Sequence, residues 1–132
     1  MAFRSKFESE VANEFKKRKL KFGYETKKLA FVQPAKKRSY KPDFELYDTG
    51  TIVECKGKLT KEERDKWIWV RETYPDMRFV IIFMRARNPI RKGSKTSYGD
   101  WATENGFEWY DWEEGLPKNF GIKKKKSNVD EG

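Results

Sequence analysis

Pro42-Asp43-Phe44-Glu45-Leu46-Tyr47-Asp48-Thr49-Gly50-Thr51-Ile52-Val53-Glu54-Cys55-Lys56-Gly57 is the stretch on which the reading of this chain turns. Asp48-Thr49-Gly50 is a turn signal between two strand-like runs, so residues 39–47 and 51–56 are expected to pair as a hairpin. Strand alternation puts Ile52, Glu54 and Lys56 on one face of the second strand, with Val53 and Cys55 on the other. Glu54 and Lys56 then lie about 6.6 Å apart along the strand. The hairpin brings Asp43 beside Glu54.

Upstream, residues 5–21 read as a helix. Ser5 and Glu8 have capping-box spacing, Phe7, Val11 and Phe15 form an apolar stripe, and Gly23 marks the end. Residues 24–32 look extended as far as Pro34, and Lys36-Lys37-Arg38 reads as a basic turn. Downstream, residues 61–74 form a second helix with Thr60 and Glu63 as its capping box and Pro75 after it. Phe79-Val80-Ile81-Ile82-Phe83 reads as a strand covered on both faces. A basic loop fills residues 85–97, residues 98–104 form a short helix ending at Asn105-Gly106, and residues 107–111 form a last strand. The order is α-β-β-β-α-β-α-β, a mixed α+β chain around a central mixed sheet. Residues 1–122 form one domain, and 123–132 a flexible tail opened by Lys123 to Lys126. In the core, Trp67, Val70 and Tyr74 share a helical stripe, Trp69 points the other way and is a candidate for the dimer or sheet contact, and Cys55 is a small buried apolar residue.

The composition narrows the chemistry. The chain has 132 residues with 30 Lys or Arg against 21 Asp or Glu, a net charge of +9. Charge is high, but 16% aromatic residues argue for a folded domain. A mean hydropathy of −1.00 leaves no room for a membrane span, and Met1-Ala2-Phe3-Arg4-Ser5 does not read as a signal peptide. One Cys and no His exclude an intramolecular disulfide, a Cys/His zinc site and any His general base. Excess positive charge favours a polyanionic partner.

Catalysis must therefore rest on carboxylates, Lys, hydroxyls or a metal held by oxygen. Asp43, Glu54 and Lys56 meet that requirement: two carboxylates suit Mg²⁺ or Mn²⁺, and the ammonium can position water or neutralise charge on a phosphate. Glu-x-Lys occurs three times, also at Glu14–Lys16 and Glu25–Lys27. Only Glu54–Lys56 follows a Pro-Asp on a preceding strand. The bland alternative for the trio is a surface ion-pair cluster.

Pro42-Asp43 followed by Glu54-x-Lys56 resembles the signature of the PD-(D/E)xK nuclease superfamily, whose core order is α-β-β-β-α-β. More narrowly, the chain resembles the phage endonuclease I family, the Holliday-junction resolvases of T-seven-like phages. The resemblance runs through Phe3-Arg4-Ser5, Glu8, Pro34-Ala35, Tyr40-x-Pro42-Asp43-Phe44, Val53-Glu54-x-Lys56-Gly57, Arg64, Arg71-Glu72, Pro75 and Lys92-Gly93-Ser94-x-Thr96-Ser97-Tyr98-Gly99. It implies a restriction-endonuclease-like core and a catalytic set of Glu8, Asp43, Glu54 and Lys56. The implied metal ligands are Asp43, Glu54, Glu8 and the Cys55 backbone carbonyl. It also implies a domain-swapped homodimer, with residues 3–30 exchanged, 31–36 as the bridge and 37–122 as the catalytic core. Glu8 would then complete the partner's site. If the chain is phage-encoded, it works in the host cytoplasm.

Lys36, Lys37, Arg38, Arg85, Arg87, Arg91, Lys92, Ser94 and Lys95 are the candidates for phosphate contact, positioning DNA without reading its sequence. The expected activity is metal-dependent cleavage of branched DNA at four-way junctions. The alternatives are another nuclease of the superfamily, mismatch- or restriction-like, and a non-enzymatic basic nucleic-acid-binding protein.

Overall fold

The strand β5 (Thr51–Lys56) is buried at its first five positions and organises the rest. The structure is a computed structural model that describes residues 2–33 and 36–121; the side chains at 32, 33, 36–38 and 40 lie outside that description, as does the tail from 122. Pro34-Ala35, in the middle of the expected bridge, also lies outside it. Around β5 the chain runs through α1 (Lys6–Lys17), β1 (Phe22–Tyr24), β2 (Leu29–Gln33), β3 (Lys36–Tyr40) and β4 (Phe44–Leu46) before it. After it come α2 (Lys61–Thr73), β6 (Phe79–Phe83), α3 (Tyr98–Glu104) and β7 (Glu108–Asp111). The main sheet has five strands in the order β1-β4-β5-β6-β7. Its first three pair antiparallel and its last three parallel, so the sheet is mixed, as expected.

Both faces of the sheet are covered, which is why its central strands read as near-continuous apolar runs. Ile52, Phe79, Ile81 and Phe83 face a core built with Trp67 and Val70 of α2, Leu29 and Phe31 of β2, and Trp101 of α3. Val53, Cys55, Val80 and Ile82 face the other core, with Phe7, Val11 and Phe15 of α1. Trp69 and Tyr74 are half-buried against the first core, so Trp69 packs on the core that lines this face of the sheet.

Before α2 there are five strands where three were expected. Residues 24–32 divide because Glu25 takes a positive φ of 53° between β1 and β2. Residues 39–47 divide at Lys41-Pro42, where β3 ends before β4 begins; proline has no N–H for a ladder. β2 and β3 pair with each other as a separate two-stranded sheet, from Leu29–Tyr40 to Gln33–Lys36. Lys36-Lys37-Arg38 is thus part of a strand ladder, not a turn. With that hairpin set aside as an insertion, the main sheet keeps the expected order α-β-β-β-α-β.

The first helix ends at Lys17, four residues earlier than expected. Lys19 takes φ 59°, and Leu20 N–H donates to the Phe15 carbonyl while Lys19 N–H donates to that of Lys16. This is a Schellman closure with Lys in the place usually held by glycine. Gly23 has a different task inside β1, because a Cβ there would meet the Tyr47 hydroxyl at 2.1 Å and Thr26 Oγ1 at 2.2 Å. The other helices begin where expected, α2 with the expected reciprocal capping box at Thr60/Glu63 and α3 with a further one at Ser97/Asp100.

Candidate active site

The β4–β5 hairpin does what its sequence promised. Phe44 pairs with Val53, which sets Asp43, one residue before β4, against Glu54. The two acids are tied through the backbone: Asp43 N–H donates to Glu54 Oε1 at 3.0 Å, and Cys55 N–H donates to Asp43 Oδ2 at 2.9 Å. Asp43 is 3% exposed and Glu54 5%. That depth excludes the surface ion-pair reading, because exposed pairs do not sit desolvated in a sheet centre.

Lys56 closes the same strand. Its ammonium lies 3.6 Å from Glu54 Oε2 and 2.5 Å from Glu63 Oε2 on the first turn of α2. Burial disfavours the charged form of Lys56, but the Glu54 and Glu63 carboxylates outweigh it and hold its pKa above the ordinary value. For Glu63, burial works upward, yet the Lys56 and Thr60 hydrogen bonds win and bring its pKa down.

Glu8 reaches the site from α1. Ser5 caps the helix, its side chain accepting the Glu8 N–H at 3.0 Å. The Glu8 carboxylate, 8% exposed, instead accepts the Tyr24 hydroxyl proton at 2.5 Å. Only half of the expected capping box forms, and the acid is released toward the site. Tyr24 O also accepts the Arg4 N–H at 3.1 Å. Burial and the Glu8 hydrogen bond push the Tyr24 pKa up to about 12. Tyr24, Arg4 and Glu63 carried no functional signal in the sequence beyond the Glu63 cap; their roles come from tertiary contact.

The acids carry more negative charge than the site neutralises. Burial first, then the charge of Glu54, then that of Glu8, push the Asp43 pKa from 3.8 up to about 8. Burial raises that of Glu54 as well, against the pull of Lys56. Arg4 Nη2 stands 3.8 Å from Asp43 Oδ1, but its side chain is 69% exposed and the contact is too loose and wet to offset this.

Among the described residues, no three acidic or cysteine side chains gather into a ready-made ion cage. Mg²⁺ does not require one, since it keeps several waters and takes one or two carboxylates plus phosphate oxygens. The Asp43–Glu54 pair fits that chemistry. Each acid spends one oxygen on a backbone N–H and has a second whose nearest cation is 3.8 Å (Asp43) or 3.6 Å (Glu54) away. In an extended strand a residue's N–H and C=O point to the same side. The Cys55 N–H donates to Asp43, so its carbonyl faces that edge as well.

The basic candidates fall into two groups. The residue 85–97 loop leaves β6 beside the site, with Met84 N–H donating to the Lys56 carbonyl at 2.9 Å. It is an ordered loop, with Ile90 N–H donating to Thr96 and Tyr98 N–H to Asn88. Arg85, Arg87, Arg91, Lys92 and Lys95 are exposed on it. Arg85 and Arg87 share Glu113, at 3.1 and 3.7 Å. Ser94 is half-buried and its hydroxyl accepts the Thr96 N–H at 3.0 Å, which holds the turn. Lys36, Lys37 and Arg38 lie on β3, and their side chains are outside the described residues, as is the Lys123–Lys126 run.

The family model for phage endonuclease I matches residues 1–131. This chain belongs to the phage endonuclease I family. It is 37% identical over 110 residues to "Endonuclease I" of Escherichia phage T7, an alignment covering 83% of this chain and 73% of that protein. It is 34% identical over 128 residues to "Endodeoxyribonuclease 1" of Enterobacteria phage T3, covering 97% of this chain and 82% of that one. Both alignments are long enough to include the hairpin, so this member of the phage endonuclease I family carries its buried acids inside the shared region. No helix among its described residues is long and apolar enough to cross a membrane.

Proposed function

We propose that this chain is a metal-dependent DNA endonuclease that resolves four-way and other branched junctions, acting as a homodimer that makes two symmetric nicks. The observation that carries the reading is the buried Asp43–Glu54 pair, with Asp43 held up at about 8 by burial first and by the charge of Glu54 next. Membership of the phage endonuclease I family and the printed names of its T7 and T3 relatives support DNA as the substrate.

Asp43 and Glu54 would hold Mg²⁺ or Mn²⁺, with the Cys55 carbonyl as a neutral ligand and Glu8 as a further carboxylate. Such an ion, when bound, polarises a phosphate and lowers the pKa of a bound water. The chain's own part is positional and electrostatic. Lys56, charged and anchored beside Glu54, places water or meets the charge that grows on the phosphate as a water oxygen bonds to phosphorus and a backbone P–O bond breaks. The exposed cations of residues 85–97 hold phosphates on either side.

A two-fold dimer matches the two-fold need for paired cuts. Exchange of α1 and β1 through residues 31–36 would supply Glu8 to the partner's acids, with its Tyr24 hydrogen bond carried along in the exchanged segment.

The test is nicking of four-way and linear DNA side by side, with Mg²⁺ and with Mn²⁺. Asp43→Ala and Glu54→Ala should each abolish cleavage while junction binding survives. Retained cutting in either variant would sink the assigned site. Equal cleavage of linear duplex would point to a mismatch- or restriction-like nuclease, and no nicks with either metal to a DNA-binding protein.

A further inference from the structure

We propose that Glu63 is a positioning residue that holds the Lys56 ammonium in its working place, an inference that rests on the nuclease reading above. Lys carries four rotatable bonds and the side-chain entropy of a long chain, so one ion pair seldom fixes its head group. Here Lys56 Nζ is held from two sides, at 2.5 Å by Glu63 Oε2 and at 3.6 Å by Glu54 Oε2. The Lys56 side chain is only 15% exposed, so the shorter contact is shielded from competing water.

Glu63 is itself immobilised by its other oxygen. Oε1 accepts the Thr60 N–H at 3.1 Å and the Thr60 hydroxyl at 3.2 Å, while the Thr60 hydroxyl accepts the Glu63 N–H at 3.2 Å. The capping box of α2 thus fixes one end of the carboxylate, and the other end grips the lysine. The helix start becomes a rigid mount for a flexible side chain. An ordinary capping box requires only one of the two oxygens.

That division of labour lets the two roles be separated. Glu63→Gln keeps a carbonyl oxygen for the cap, since Gln serves in capping boxes as well as Glu, but removes the charge that grips Lys56. Thr60→Ala removes the hydroxyl of the cap and leaves the Glu63 charge in place. Glu63→Gln should lower kcat for junction nicking about 10- to 100-fold, the scale of a mispositioned catalytic group. KM, junction binding and Tm should stay near wild type. Thr60→Ala should lower Tm, and because the Thr60 N–H still holds Glu63 Oε1 it should lower kcat far less than Glu63→Gln does. In a Lys56→Ala background, Glu63→Gln should cost nothing further.

An activity-independent arm keeps the clamp separate from the nuclease reading. Proton–nitrogen spectra of the lysine side chains should show a slowly exchanging Lys56 ammonium signal in the wild type that broadens away in Glu63→Gln. If that signal is unaffected, or if Glu63→Gln nicks at the wild-type kcat, the proposal is overturned. If the wild type nicks nothing, the nuclease reading falls, and the spectra still decide whether Glu63 holds Lys56.

Discussion

Asp43 shows how a single carboxyl can be held against its own preference. It is buried, it faces two other acids, and the cation nearest its second oxygen belongs to a mostly exposed arginine. A carboxyl whose folded pKa is about 8 and whose ordinary value is 3.8 binds more protons folded than unfolded between those values. Stability should therefore be full below about pH 4 as far as this group is concerned, and fall as pH rises toward 8. Asp43→Asn should remove that slope, so the variant gains most over wild type near pH 8 and little near pH 4. Urea unfolding at a series of pH values without divalent cations measures it. An unchanged slope in Asp43→Asn would show that the strain lies elsewhere.

At the scale of elements, α1 is bound to the sheet by its apolar stripe and to the site by Glu8. Phe15 is fully buried and packs on Phe22, Phe44 and Phe120 with ring centroids 5.1–5.9 Å apart. Phe15→Ala should cost about 3–5 kcal/mol of stability, the range for emptying an aromatic core site. Denaturant titration reads that loss.

Most of this architecture was legible in residue order. The hairpin around Asp48-Thr49-Gly50 followed from turn chemistry and alternation, and the cap at Thr60 from its partner three residues on. The pairing of Asp43 with Glu54 followed from register. What could not be read was set by distant contact. Gly23 looked like a helix stop because the hydroxyl of Tyr47 that crowds it comes from the turn after β4. Lys19 took the left-handed position that a glycine rule leaves to Gly23. The basic run at 36–38 looked like a turn because its ladder partner, β2, has no alternation to announce it. Glu8 was legible as a cap, but its turn toward Tyr24 depends on β1 lying beside α1.

For the whole molecule both signs share the surface, but beside the site they differ in depth. Asp43 and Glu54 are buried, while the cations of residues 85–97 stand exposed at the same end of β5 and β6. DNA affinity should be set by those cations, and cleavage by the acids. A complex with about six phosphate contacts should lose on the order of 10³ in affinity between 50 and 200 mM salt. Replacing Arg91, Lys92 and Lys95 together by Ala should flatten the slope of log affinity against log salt by about one for each phosphate no longer neutralised. Binding isotherms at several salt concentrations would show it, and an unchanged slope would remove this loop from the interface.

Cys55 gives this protein a built-in reporter. It is the sole cysteine, it sits between Glu54 and Lys56, and burial pushes its thiol pKa far above the ordinary 9.0. A thiol reagent can reach it only when β5 opens, so the rate of labelling becomes a clock for local unfolding at the heart of the sheet. A divalent cation bound by the flanking acids must be released before the strand opens. Labelling should therefore slow as Mg²⁺ is added, and the concentration at half effect is the ion's dissociation constant, obtained without DNA or turnover.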